Sequence, residues 1–197
     1  MTRGTCRLSV KHRKSIVKLL LSGVGGKIYP ILGKGRKTKK LLEKSLNPEN
    51  CFIYEENGRI LGFLAYQNWR HSFLTPSLRK FIATYGFFEG ILKTVILLFT
   101  GFSFRVNEMH IRSIVVSKSA RGRGIGTKLF NAMMSYAKKK KVKTVTLDVV
   151  NTNSRAKMLY ERLGFSAVKE TELWPINKIL DCNFDKVIFM RKNLEIS

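Results

Sequence analysis

Two arginines and three alternate glycines, Arg121-Gly122-Arg123-Gly124-Ile125-Gly126, follow the β-branched run Ile111-Arg112-Ser113-Ile114-Val115-Val116 across a polar break, Ser117 to Ala120. Residues of these types at this spacing can hold an anion. Glycine lets the backbone approach a phosphate, and the N–H groups of a helix's first turn, here reaching Thr127, point at it. Further on, Asn153, Ala156 and Tyr160 recur at helical spacing, with Ala156 and Tyr160 at i and i+4 on one face. A phenol so placed can donate a proton. Leu159 and Leu163 make that face apolar, so a core aromatic is the competing reading. Glu108 and His110 share one side of the predicted strand by alternation. Either can accept a proton; a surface acid and a packed histidine are the plainer alternatives.

Other phosphate loops fit less well. A P-loop needs four residues between its glycines and then Gly-Lys-Ser/Thr, whereas Gly126-Thr127-Lys128 has another order. A dinucleotide fingerprint needs G-x-G-x-x-G, and Gly122, Gly124 and Gly126 read G-x-G-x-G. Asp148 lies at a suitable distance to serve as a ribose acid, which keeps that reading open. A flexible turn with solvated arginines is the other alternative.

The elements that must position these groups are legible as patterns. Residues 8–22 alternate basic and apolar groups at helical spacing, and Gly23, Gly25 and Gly26 are expected to stop that helix. Arg36 to Leu46 predicts a second basic helix ended by Asn47-Pro48. Cys51 to Glu56, Asn57-Gly58, and Arg59 to Tyr66 predict a hairpin, since Asn-Gly supplies the positive φ angles of a type I′ turn. From Glu108 the order reads strand, loop, helix, strand, helix, strand, strand. The helix from Ile125 carries Leu129, Met133 and Tyr136 on one stripe, and Lys138 to Lys141 crowd its C-terminal end. Thr144 to Val150 reads as a strand, Ser154 to Leu163 as a helix ended by Gly164, and Phe165 to Leu173 and Lys186 to Lys192 as closing strands.

Residues 71–104 are different. They hold eight of the 21 aromatic residues. Leu78, Phe81, Ile82, Tyr85 and Leu92 fall on one helical stripe, with Thr75-Pro76 as a start. Glu89 and Lys93 interrupt the apolar run, which argues against a spanning helix. The expectation is packed helices that line or cover an apolar pocket; a core extension and an interfacial membrane contact are the alternatives.

At 197 residues the chain suits one domain, 1–197, with an apolar, helical insertion at about 71–104. Thirty-seven Lys and Arg against 13 Asp and Glu give a net charge of +24. Residues 1–50 and 117–169 each hold 13 basic and two acidic residues, so anions are the expected partners. Cys6, Cys51 and Cys182 form no C-x-x-C pair, and His12, His71 and His110 lack metal-ligand spacing, which argues against a disulfide framework or a zinc site. Met1 to Lys18 has no apolar signal core. A reducing, cytoplasmic location is expected.

Taken together, these motifs resemble the GCN5-related N-acetyltransferase superfamily. The resemblance is carried by Ile114-Val115-Val116, Arg121-x-x-Gly124-x-Gly126, and Asn153 to Tyr160 running into Leu163-Gly164-Phe165. It covers residues 108–165 well and 51–68 and 165–192 in outline; residues 71–104 depart from the family plan. It implies an α+β fold: a mixed, mostly antiparallel sheet whose central parallel strands splay apart, flanked by helices, with acetyl-CoA in the gap. The pyrophosphate loop then falls on Arg121, Gly122, Arg123, Gly124, Ile125, Gly126 and Thr127, and the pantetheine strand on Ile114, Val115 and Val116. Asn153, Ala156 and Tyr160 complete the cofactor set, Tyr160 being the implied acid and Glu108 the implied base. The implied acceptor is an amine of a small molecule or a protein; the apolar segment 71–104 suggests an apolar one and the positive charge an acidic one. A basic nucleic-acid- or ribosome-binding module without catalysis and a membrane-surface acyltransferase are the alternatives.

Overall fold

The computed structural model describes residues 12–75, 77–99, 107–179 and 183–195. Among these residues six strands form one sheet: β1 (Cys51–Glu56), β2 (Arg59–Gln67), β3 (Glu108–Val116), β4 (Thr144–Val150), β5 (Ser166–Glu172) and β6 (Lys186–Asn193), in the order β1-β2-β3-β4-β6-β5. All neighbours are antiparallel except β3 and β4. The β1–β2 turn is the expected one, with φ of 50° at Asn57 and 72° at Gly58.

Helices α1 (Arg13–Leu32), α2 (Arg36–Ser45), α3 (Leu78–Tyr85) and α4 (Phe87–Phe99) precede β3 in space or sequence, and α5 (Ile125–Lys139) joins β3 to β4. Helix α6 (Ser154–Arg162) follows β4, and a short α7 (Ile176–Ile179) joins the last two strands, where only a polar connection is expected. Alternation along the strands feeds two cores, one per sheet face. Leu64, Met109, Ile111, Leu147 and Met190 pack with Ile125, Leu129 and Met133 of α5. Phe63 and Val115 pack on the other face with Ile16 and Leu20 of α1, Leu41 of α2, Phe73, and Phe81 of α3.

A bulge in β3 sets which residues face which core. Ala65 pairs with Ser113 but Tyr66 pairs with Ile111, so Arg112 has no opposite residue. The extra residue reverses the alternation. Met109 and Ile111 face α5 before it, Ile114 and Val116 face α5 after it, and Val115 turns to α1.

Two expectations need correction. The glycines at 23, 25 and 26 interrupt α1 rather than end it: two helical stretches meet across non-helical Val24 (φ −127°, ψ 17°), and the second runs to Leu32. Gly23 is there because α1 lies against β3. A Cβ on it would sit 2.6 Å from Cγ1 of Val115. The stripe through residues 78–92 is also broken. Gly86, at φ 90°, separates α3 from α4, and Ser77 rather than Thr75-Pro76 caps α3 by accepting from Lys80 N–H. Phe81 is buried, whereas Leu78 and Leu92 face outward (46% and 60% exposed). Pro76 and residues 100–104 lie outside the described residues. Among the described residues no helix is long and apolar enough to cross a membrane.

Helices α3 and α4 are fastened to the end of α1. Tyr85 Oη donates to the Leu32 carbonyl (2.9 Å) and Lys93 Nζ to the Ile31 carbonyl (2.7 Å). These bonds satisfy helix-terminal carbonyls, and the ammonium meets the negative pole of the helix. Closer to the sheet, Asn47 N–H donates to Phe73 O and Thr75 N–H to Ser45 O, tying the segment to the end of α2.

Gly23→Ala tests the α1–β3 contact. Alanine gains about 1 kcal/mol in helix propensity, but overpacking a β-branched buried neighbour costs about 1–3 kcal/mol. The expected outcome is a net loss of up to about 2 kcal/mol in urea unfolding; a stabilised variant would contradict the packing.

Candidate active site

The parallel pairing of β3 and β4 runs only from Glu108↔Thr144 to Ile111↔Leu147. Beyond it, Ser113 to Val116 pair with β2 alone and Asp148 to Val150 with β6 alone. The two central strands therefore part, and the opening leads to the glycine loop. Gly122 (φ 80°) and Gly124 (φ 71°) are both left-handed, which any other L residue adopts only with strain. A Cβ at either would meet nothing within 4 Å, so the loop borders open space. Gly124 is the N-cap of α5, with no side-chain cap and no acidic residue in the first turn. The first α-helical bond is Lys128 N–H to Gly124 O (3.0 Å), so the preceding amides are available to a ligand.

The other loop residues behave differently from one another. Ile125 is buried and anchors α5 in its core. Arg123 is engaged by Glu56 of the hairpin, its guanidinium donating to both carboxylate oxygens (2.8 and 2.9 Å). Arg121 is exposed and makes no ion pair among the described residues. Ile114 and Val116 point to the α5 core and Val115 to the α1 core, so along the opening the strand presents main chain.

On α6, Asn153 is the N-cap, its side-chain oxygen accepting from Ala156 N–H (3.2 Å). Ala156 and Tyr160 pack on the α5-side core, and the Tyr160 ring meets Phe165 edge-on at 6.1 Å. Burial pushes the Tyr160 hydroxyl above the ordinary tyrosine pKa, so it holds its proton at neutral pH.

The opposite face of the same strands carries a polar chain. Thr146 Oγ1 donates to Glu108 Oε1 (2.8 Å) and lies 3.0 Å from His110 Nδ1. The hydroxyl has one proton, already given to Glu108, so Nδ1–H of His110 is the donor to Thr146. His110 Nε2 lies 3.5 Å from Asp148 Oδ2. Leu147 and Val149 face α5, which places Asp148 away from the glycine loop and removes the ribose-acid reading. Arg112, at the bulge, is exposed yet crowded by protein. Desolvation pulls its pKa down, while the Asp148 carboxylate opposes that shift. Sequence reasoning singled out Glu108, His110 and Tyr160 but missed Thr146. The alternation of Thr144, Thr146 and Asp148 with Val145, Leu147 and Val149 was the available signal.

Comparison with known proteins agrees with this geometry. Residues 29–165 match the model of the acetyltransferase (GNAT) family. The chain belongs to that family, whose cofactor is acetyl-CoA, and the splayed strands, glycine loop and uncapped helix fit such an anion-bearing cofactor. Over 64 residues it is 42% identical to an uncharacterised N-acetyltransferase of Methanocaldococcus jannaschii; the match spans 32% of this chain and 28% of that one, so it covers little more than a quarter of the relative's length. Its fold is that of a Staphylococcus aureus N-acetyltransferase (TM-score 0.64, 17% identity, covering 94% of this chain and 98% of that one). The ribosomal-protein alanine N-acetyltransferase of Escherichia coli is similar in the same sense (TM-score 0.60, 15% identity, 98% and 94% covered).

Two substitutions test the loop by calorimetry with CoA. Gly124→Asp puts a carboxylate and backbone strain where phosphate binds, and CoA affinity is expected to fall by about 100-fold or more while the circular dichroism spectrum is kept. Glu56→Gln releases Arg123, and affinity at low salt is expected to rise several-fold, an effect that fades as salt increases.

Proposed function

We propose that this protein transfers an acetyl group from acetyl-CoA to a primary amine by direct attack. The observation that carries the reading is the opening between β3 and β4. A half-buried phenol, Tyr160, packs on the α5 side of the sheet, and a carboxylate–hydroxyl–imidazole chain lies on the other face of the paired stretch that leads to the opening. When bound, the cofactor supplies an activated acetyl thioester.

The chain's own residues do the rest. The amides of Gly124 to Thr127 and the guanidinium of Arg121 hold the diphosphate, and the exposed main chain of Arg112 to Val116 orients the arm of the cofactor. Tyr160 donates its proton to the departing sulfur as general acid. Glu108 is the base. Thr146 fixes its orientation through Oε1, and its Oε2 takes the proton of the amine, directly or through water. His110, donating from Nδ1, holds the hydroxyl of Thr146 in the donor direction.

Both roles are testable. Tyr160→Phe is expected to lower kcat about 100-fold with CoA affinity within twofold of wild type. Because burial raises the Tyr160 pKa, the acid form persists through pH 9, so kcat should show no alkaline loss below that value. Glu108→Gln is expected to lose about 100-fold in kcat at pH 7 and to recover as pH approaches the amine's own pKa. A loss that stays constant with pH would remove the base role, and unchanged turnover in Tyr160→Phe would remove the acid role.

A further inference from the structure

Behind β3, on the face away from α5, lies a cavity of ≈ 220 Å³. Its walls are apolar: Leu20, Val24 and Ile28 of α1, Leu41 and Leu42 of α2, and Phe73, Leu74 and Phe81 of the insertion. Two features say that it is more than a packing defect. The buried Ser45 Oγ borders it with no hydrogen-bond partner among the described residues, and a buried hydroxyl left unpaired is costly unless something meets it. Its sheet end is formed by Arg112 and Ser113, at the point where β3 leaves β4. Arg112 is the one exposed residue of the lining, so this end reaches solvent. There Arg112 feels the charge of the Asp148 carboxylate, whose Oδ2 lies 3.5 Å from His110 Nε2.

We propose that this cavity takes the apolar body of the acceptor, a small aromatic or branched aliphatic primary amine. The amino group lies at the Arg112–Ser113 end, and a polar atom on the body meets Ser45. This rests on the acetyl-transfer reading for the identity of the reacting group, and on the cavity alone for the class of body. Size sets the range. A dry cavity of about 150 Å³ accepts a benzene ring, so the larger volume here admits an indole-sized ring or a branched chain of roughly eight carbons. Short polar amines leave the walls bare and forgo the burial.

The test is equilibrium binding of ethylamine, 2-phenylethylamine and tryptamine to the full chain in the presence of CoA, followed by acetylation kinetics on the same three. Ethylamine lacks the ring, and burying that much hydrocarbon is worth at least about 30-fold in Kd, so affinity is expected to rise from ethylamine to tryptamine. Ser45→Leu fills the cavity without removing a hydrogen bond to another described residue, and it is expected to abolish that rise while CoA affinity is kept. Equal affinity for the three amines, or a size preference that survives in a folded Ser45→Leu variant, overturns the proposal. The wild-type series decides the matter by itself should the variant not fold. Graded binding with no acetylation of any amine would keep the cavity assignment and remove the acetyl-transfer reading instead.

Discussion

The separation of β3 from β4 after Ile111 and Leu147 governs this molecule. A parallel pair that stayed zipped would satisfy its own amides and leave nothing for a ligand. Here the bulge at Arg112 and the loss of pairing come at the same place. The strand keeps β2 on one side, so it stays straight and held, while its other edge offers main chain to the opening. The glycine loop and the uncapped start of α5 follow directly from that edge.

Rigidity comes from the two cores. Val115 between α1 and β3, and Ile125 beneath the loop, are buried side chains next to groups that must be exposed. The backbone is thus fixed by side chains pointing elsewhere, which is how a loop of glycines can be well positioned. The positive charge of the chain suits an anionic cofactor in the same way, except that Glu56 already engages Arg123. That ion pair ties the loop to the β1–β2 hairpin and lowers the field at the start of α5.

Much of this was legible in the residues. The Asn57-Gly58 hairpin, the strand at Thr144 to Val150 and the helix from Ile125 follow from local chemistry and period, and they fell where expected. The glycine loop was legible because positive φ selects glycine. What local pattern could not give was anything decided by a neighbour. Gly23 reads as a helix stop in isolation, yet it is a contact with Val115, 92 residues away. The reversal of side-chain direction at Arg112 leaves no mark on composition, because Ile111 and Val115 are both apolar and simply serve different cores. Thr146 was missed because its partner, Glu108, is on another strand.

The sheet also acts as a partition. The helix that carries the cofactor loop belongs to one hydrophobic cluster, and the walls behind β3 belong to the other. A substitution at Leu41 or Phe81 thus reshapes the cavity without touching the core beneath the glycine loop. On the acceptor proposal, the acyl-donor half and the recognition half are separately adjustable in evolution, and helices α2 and α3 are where a lineage can change its choice of recipient at small cost to the rest.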